Sequence, residues 1–231
     1  KYVDDLNHRL GLDNQLSRVI GSKARKDPKR IVFADAENIK ILKVAQLVME
    51  EGVAYPILLG KEHKIRKLAD ENGIDLEGMP IMNPADDHHE DARKKFGDLF
   101  FEKRQRRGVN KYESYKAMKD RNHFGCMLVD SGEADGMISG LSRNYPDTIR
   151  PALQIIGTEP GVKKIAGMYI MFTKRGPLFL ADTTVNFNPT AEELAEITLL
   201  VAKEVKLFNI KPRIAMLSYS NFGSSDSPEA N

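Results

Sequence analysis

Four short apolar runs set the limits on what this chain can become. RIVFADA (30–36), AYPILLG (54–60), MPIMN (79–83) and ADGMISG (134–140) are short and apolar enough to read as buried strands. Segments with helical periodicity separate them. Ile41, Val44, Ala45 and Val48 share one face of a predicted helix over 38–51, which Gly52 ends. A second helix is predicted over 61–72, closed by Gly73. A long charged helix over 86–107 is stopped by Gly108. Another over 111–131 carries Met118, Phe124, Met127 and Leu128. Strands alternating with helices at this spacing require crossover connections. The expectation is therefore a parallel sheet wrapped by helices, an α/β fold.

The rhythm changes near Gly161. IAGMYIMFTKRGPLFLADTTV (165–185) reads as two strands around a tight turn at Lys174 to Pro177, a hairpin. A helix over 190–208 carries a capping box, with Thr190 reaching forward and Glu193 reaching back. PRIAMLSYS (212–220) is predicted as one more strand, ending in a Ser/Gly loop. The expected layout is three-part. Residues 1–29 form a polar helix, Tyr2 to Lys26, and a linker broken at Pro28. Residues 30–160 form a first α/β domain, and 161–231 are part of a second. The chain starts without Met and stops at SDSPEAN, so it is expected to be a fragment of a longer polypeptide.

Composition narrows the function classes. The 35 Lys plus Arg against 33 Asp plus Glu leave a charge of +2, too near neutral to favour nucleic acid or an acidic membrane. No apolar run approaches the ~18 residues that span a bilayer, and the N-terminus lacks a secretory layout. Cys126 is the only cysteine, so no internal disulfide can form, which fits a reducing cytoplasm.

An apolar strand, a Gly/Ser loop and a helix-like segment occur together twice, at MISGLSRNYPDT and at AMLSYSNFGSSDSP. In open α/β folds ligands sit beyond the carboxyl ends of strands. Backbone amides at a helix start attract anions, and glycine allows close approach. Ser139, Ser142, Ser218, Ser220, Ser224 and Ser225 add hydroxyl donors, and Arg143 and Arg150 can clamp a phosphate with two hydrogen bonds each. Ordinary helix caps would look the same one loop at a time. Recurrence, once per expected domain, points to a phosphate-bearing ligand between two domains.

The motifs DGMISG…DTIRPALQII, FLADTTVNFNPTAEELAEI and PRIAMLSYS, with FEKRQRRGVN before them, resemble the phosphate acetyl/butyryltransferase family. The resemblance runs from about Arg30 to the last residue. It implies two α/β domains with the site in the cleft between them, an architecture like that of isocitrate and isopropylmalate dehydrogenases. It also implies acetyl-CoA or CoA as ligand. Carried over one at a time, Arg150 matches an arginine of the cleft and Arg104 one implicated in CoA binding. Ser139, Gly140 and Asp147 match the loop and helix start near the acyl phosphate. Ser218, Ser220 and Gly223, with Ser224 beside them, match a second phosphate-side loop.

The departures are informative. Where transferases have a loop similar to Ser-Gly-Ala-x-His-Ser/Thr-Thr, this chain has Leu141, Ser142, Arg143, Asn144 and Tyr145 after Gly140. That version resembles the transferase-like C-terminal region of large bacterial NADP-dependent malic enzymes. There the region is regarded as regulatory, sensing acetyl-CoA and helping a homo-oligomer assemble. The family's catalytic aspartate and Ser-Arg pair would lie downstream. NADP, a divalent metal and the malate-binding residues would belong to an upstream malic enzyme domain. No catalytic residue and no metal site are therefore expected here. A working phosphate acetyltransferase, and an oligomerisation module with a vestigial site, are the alternatives.

Other groups have plainer readings. His88 and His89 are adjacent, so on a helix they diverge by about 100° and chelate poorly. Cys126 is expected as a core thiol. Asp35 and Glu37 are expected to cap the helix that follows them. Asp182 is a polar residue at a strand end with no assigned role.

Overall fold

The computed structural model describes residues 18–173 and 176–218. They divide into two compact units, one ending at Pro160 and the other running from Gly161 onward.

The first unit opens with helix α1 (residues 18–26) and is built on four parallel strands. These are β1 (Lys29–Phe33), β2 (Ala54–Leu59), β3 (Ile81–Met82) and β4 (Gly136–Ile138), in the order β3-β2-β1-β4. Helices α2 (Ile39–Glu50) and α3 (Glu62–Asn72) make the first two crossovers. The long return to β4 holds α4 (Glu90–Arg104), α5 (Lys111–Ala117) and α6 (Arg121–Asp130), and α7 (Tyr145–Ile155) follows β4. Strand side chains alternate faces, and the core divides accordingly. Phe33 and Leu58 pack with Leu42 and Ala45 of α2 and Ile65 and Ala69 of α3. Val32, Ile57 and Leu59 face the other way, onto Phe96 and Phe100 of α4, Phe124 and Met127 of α6 and Ile155 of α7. Each of the fully buried side chains Phe33, Phe96 and Phe124 contributes on the order of 2–3 kcal/mol of burial. Cys126 lies in this second cluster at 2% exposure, and burial pushes its thiol up to about 12, so it is an inert packing group.

Two long helices expected from the sequence are interrupted. The segment 86–107 is a 3-10 turn (Asp87–His89), then α4, then a second 3-10 turn (Gln105–Arg107) that ends at left-handed Gly108. The segment 111–131 is two helices, because Asp120 accepts from the backbone N–H groups of Asn122 and His123 and starts α6 as its N-cap. Gly97 of α4 permits close packing of α5, since a Cβ there would overlap the Tyr115 ring. His88 and His89 occupy the first 3-10 turn.

In the second unit, β5 (Met168–Thr173) and β6 (Gly176–Ala181) pair antiparallel, with Met168 opposite Ala181 and Thr173 opposite Gly176. Helix α8 (Ala191–Leu207) begins at Thr190, and its capping box with Glu193 is formed in both directions. Asp182 organises the turn after β6. Its carboxylate accepts from the N–H groups of Gly167, Thr184, Val185 and Asn186 and from the Asn186 side chain. The strand expected at 212–220 is absent over residues 212–218, the part described. No described strand pairs with this run, so no ladder defines it as a strand.

Candidate functional site

The site grows from the carboxyl edge of the parallel sheet in the first unit. β1 and β4 pair with Phe33 opposite Ile138, so both chains leave the sheet side by side. The N–H of Ala34 donates to the carbonyl of Ile138 at 3.1 Å, extending the ladder by one rung. One residue further, the Asp35 side chain reaches the loop that follows β4. One of its oxygens accepts from the N–H groups of Gly140 at 3.1 Å and Leu141 at 3.0 Å, and the other accepts from the Ser142 hydroxyl. Burial alone would raise this carboxyl, but the three hydrogen bonds outweigh it and hold it below its ordinary value. Neither Asp35 nor Glu37 is the helix cap expected from the sequence. Asn38 caps α2, being adjacent to it, and Glu37 instead accepts from the N–H of Lys61 and pairs with Lys64.

Beyond Ser142 the chain turns into α7. Asn144 is the N-cap, accepting from the N–H of Asp147 at 3.0 Å, so the helix starts at Tyr145, two residues before the expected position. Ser139, at the other end of the loop, donates to the Asn122 side-chain oxygen at 2.8 Å. With its proton committed, Ser139 offers lone pairs rather than a donor. Asn122 is 2% exposed, and its amide nitrogen has no partner among the described residues.

A pocket of about 480 Å³ lies against this loop. Ser142, Arg143 and Asn144 line it from the loop, Asp147, Arg150 and Pro151 from α7, and Asp120 and His123 from the start of α6. Arg143 forms a 2.5 Å ion pair with Asp120. Arg150 is 3.8 Å from Asp147 and keeps 63% of its side chain exposed. Burial would raise the Asp120 carboxyl, but hydrogen bonds from His123 and Arg143 and the Arg143 charge drive it far below the usual carboxylate range. His123 closes a chain of contacts. Its Nδ1 is 3.0 Å from Asp120 and its Nε2 is 3.4 Å from the side-chain oxygen of Gln154, one helical turn beyond Arg150. Lys103 of α4 braces the far side, bonding Asp130 at 2.7 Å and the carbonyl of Ile155 at 3.2 Å. The pocket thus holds two guanidinium groups with unused donors, each beside a carboxylate (Asp120 and Asp147), together with a hydroxyl, a carboxamide and an imidazole. That set can bind a phosphate-bearing molecule.

Of the residues expected at a site, the structure brings Arg143, Asp147 and Arg150 into this pocket and places Ser139 and Gly140 in the loop beside it. Arg104 ends α4, does not line the pocket, and has a buried Nε without a partner among the described residues. Ser218 is described but lies in no helix or strand. Ser220, Gly223 and Ser224 lie outside the described residues. Sequence reasoning missed Asp120 and His123. The Asp-x-x-His spacing at a helix start was their signal, hidden by reading 111–131 as one helix.

The family model described as phosphate acetyl/butaryl transferase matches residues 15–231. The phosphate acetyltransferase of Bacillus subtilis (strain 168) is 39% identical over 206 residues, 89% of this chain and 62% of that protein. The NADP-dependent malic enzyme of Escherichia coli (strain K12) is 34% identical over 231 residues, 100% of this chain and 30% of that protein. Among solved structures, the EutD phosphotransacetylase from Staphylococcus aureus superposes with a TM-score of 0.80 at 32% identity, covering 93% of this chain and 64% of that one. The chain therefore spans less than two thirds of each of these relatives.

Proposed function

Since the chain belongs to the phosphate acetyl/butaryl transferase family, we propose that it is the transferase-like region of an NADP-dependent malic enzyme and binds acetyl-CoA as a regulator of malate oxidation. The observation that carries this reading is the Arg143–Asp120 pair at the pocket wall. A guanidinium fixed by a carboxylate is a binding group. It supplies hydrogen bonds to phosphate oxygens and transfers no proton. The similarity to the malic enzyme, which extends along all 231 residues, supports the same reading. On this reading the chain is a piece of a longer polypeptide. NADP and a divalent metal belong to the upstream domain, and the whole protein is a cytoplasmic homo-oligomer.

A second reading, an active phosphate acetyltransferase, is favoured by His123. Its imidazole lines the pocket and Asp120 orients it through Nδ1; in this reading Nε2, 3.4 Å from the Gln154 side chain, turns from that contact to take the proton. In that reaction a base removes the thiol proton of CoA, the thiolate attacks the acyl carbonyl, and phosphate leaves toward Arg143 and Arg150.

The test of ligand binding is calorimetry on the full-length protein. Acetyl-CoA should give a saturable heat that free CoA competes away. Absence of both at millimolar ligand contradicts the proposal.

A further inference from the structure

Two successive backbone N–H groups, those of Gly140 and Leu141, converge on a single oxygen of Asp35 at 3.1 and 3.0 Å. Such a pair of amides is an anion-binding concavity. The left-handed backbone of Gly140, φ 110°, is part of the geometry that aims them, and only glycine adopts it freely. Here the occupant is the chain's own carboxylate, 5% exposed, with the Ser142 hydroxyl on its other oxygen and the charge of Arg121 favouring its ionised form. Asp35 therefore bonds three consecutive residues of the loop that continues into Arg143 and Asn144.

We propose that Asp35 is the positioning residue of this loop and decides which groups meet an incoming phosphate. By filling the amide concavity it denies those N–H groups to the ligand and sets a fixed negative charge behind the loop. A phosphate is left to the guanidinium groups of Arg143 and Arg150 on the pocket side. The arrangement selects ligands whose phosphate tolerates a nearby carboxylate in exchange for arginine forks. The inference rests on the reading that the pocket takes a phosphate-bearing ligand.

Two substitutions separate geometry from charge. Asp35→Asn keeps an oxygen for both amides and presents its NH₂ to Ser142, whose hydroxyl can turn to accept it, so the contacts survive and only the charge is lost. Asp35→Ala removes both and leaves the two N–H groups without their acceptor. The experiment titrates inorganic phosphate calorimetrically into the full-length wild type and each variant, and follows hydrogen exchange at the Gly140 and Leu141 amides. Asp35→Asn should bind phosphate several-fold more tightly than wild type with both amides still protected. Asp35→Ala should lose protection at both amides in the absence of phosphate. Wild-type or weaker phosphate affinity in Asp35→Asn, or amides that stay protected in Asp35→Ala, overturns the proposal; so do wild-type amides that exchange freely. If Asp35→Ala does not fold, Asp35→Asn decides alone: tighter binding supports the proposal, and equal or weaker binding overturns it. If wild-type protein binds neither phosphate nor CoA, the reading of the pocket fails. The ligand-selection half of the inference falls with it, and amide protection lost only in Asp35→Ala still upholds the positioning role.

Discussion

Arg150 leaves more of its side chain in solvent than Arg143 does, 63% against 32%, and its carboxylate neighbour is 3.8 Å away rather than 2.5 Å. It contributes little to the fold and has the most donors to give. Arg150→Ala should weaken CoA binding by about 1.5–3 kcal/mol, the range for a hydrogen bond to a charged group. Its thermal midpoint should stay near wild type. Unchanged affinity with a fall in stability would make Arg150 a structural residue. Asp120 has two jobs, capping α6 and pairing with Arg143. Asp120→Asn keeps the cap and loses the ion pair, whereas Asp120→Ala loses both. In urea unfolding the alanine variant should be less stable than the asparagine variant by about 0.5–2 kcal/mol, the worth of an N-cap. Equal stabilities would mean that the cap contributes nothing.

At the scale of elements, the turn after β6 depends on one carboxylate. Burial would raise Asp182, but N–H groups of Asn186, Gly167 and Thr184 hold it down at about 2, against an ordinary value of 3.8. A depressed folded value means the charged form stabilises the native turn. That stability is fully present above pH 3.8 and is lost as pH falls through about 2. Protection of the Thr184, Val185 and Asn186 amides, relative to their intrinsic exchange at each pH, should fall within this window in wild type. Asp182→Asn should flatten the dependence. A wild-type profile with no step there would show that the carboxylate does not hold the turn. The strands β1 to β4 were legible in the sequence because buried parallel strands read as short apolar runs, and α8 because its capping box is local. The break before α6 was not, because Asp120 looks like any charged residue inside a helical run. Asp35 resembled a helix cap because its true partners, the loop N–H groups, are 105 and 106 residues away. No local pattern reports a contact of that range. The run at 212–218 had strand composition, but no described strand lies beside it to complete a ladder.

At the scale of the whole molecule, the chain accounts for 30% of the Escherichia coli malic enzyme and 62% of the Bacillus subtilis phosphate acetyltransferase that it resembles. Fold and family are common to both, so they cannot choose between regulation and catalysis. The proposed regulatory reading draws on the loop from Ser139 to Asn144, where Arg143 puts bulk and a paired charge against the pocket. The deciding measurement is one preparation of the full-length protein assayed twice, for NADP reduction with malate and for thiol release from acetyl-CoA with phosphate. Acetyl-CoA should suppress malate-dependent NADP reduction with a coupling of about 1–3 kcal/mol, while thiol release is negligible. Rapid thiol release, with malate oxidation absent or indifferent to acetyl-CoA, would contradict the regulatory reading and identify the chain as part of a working transferase.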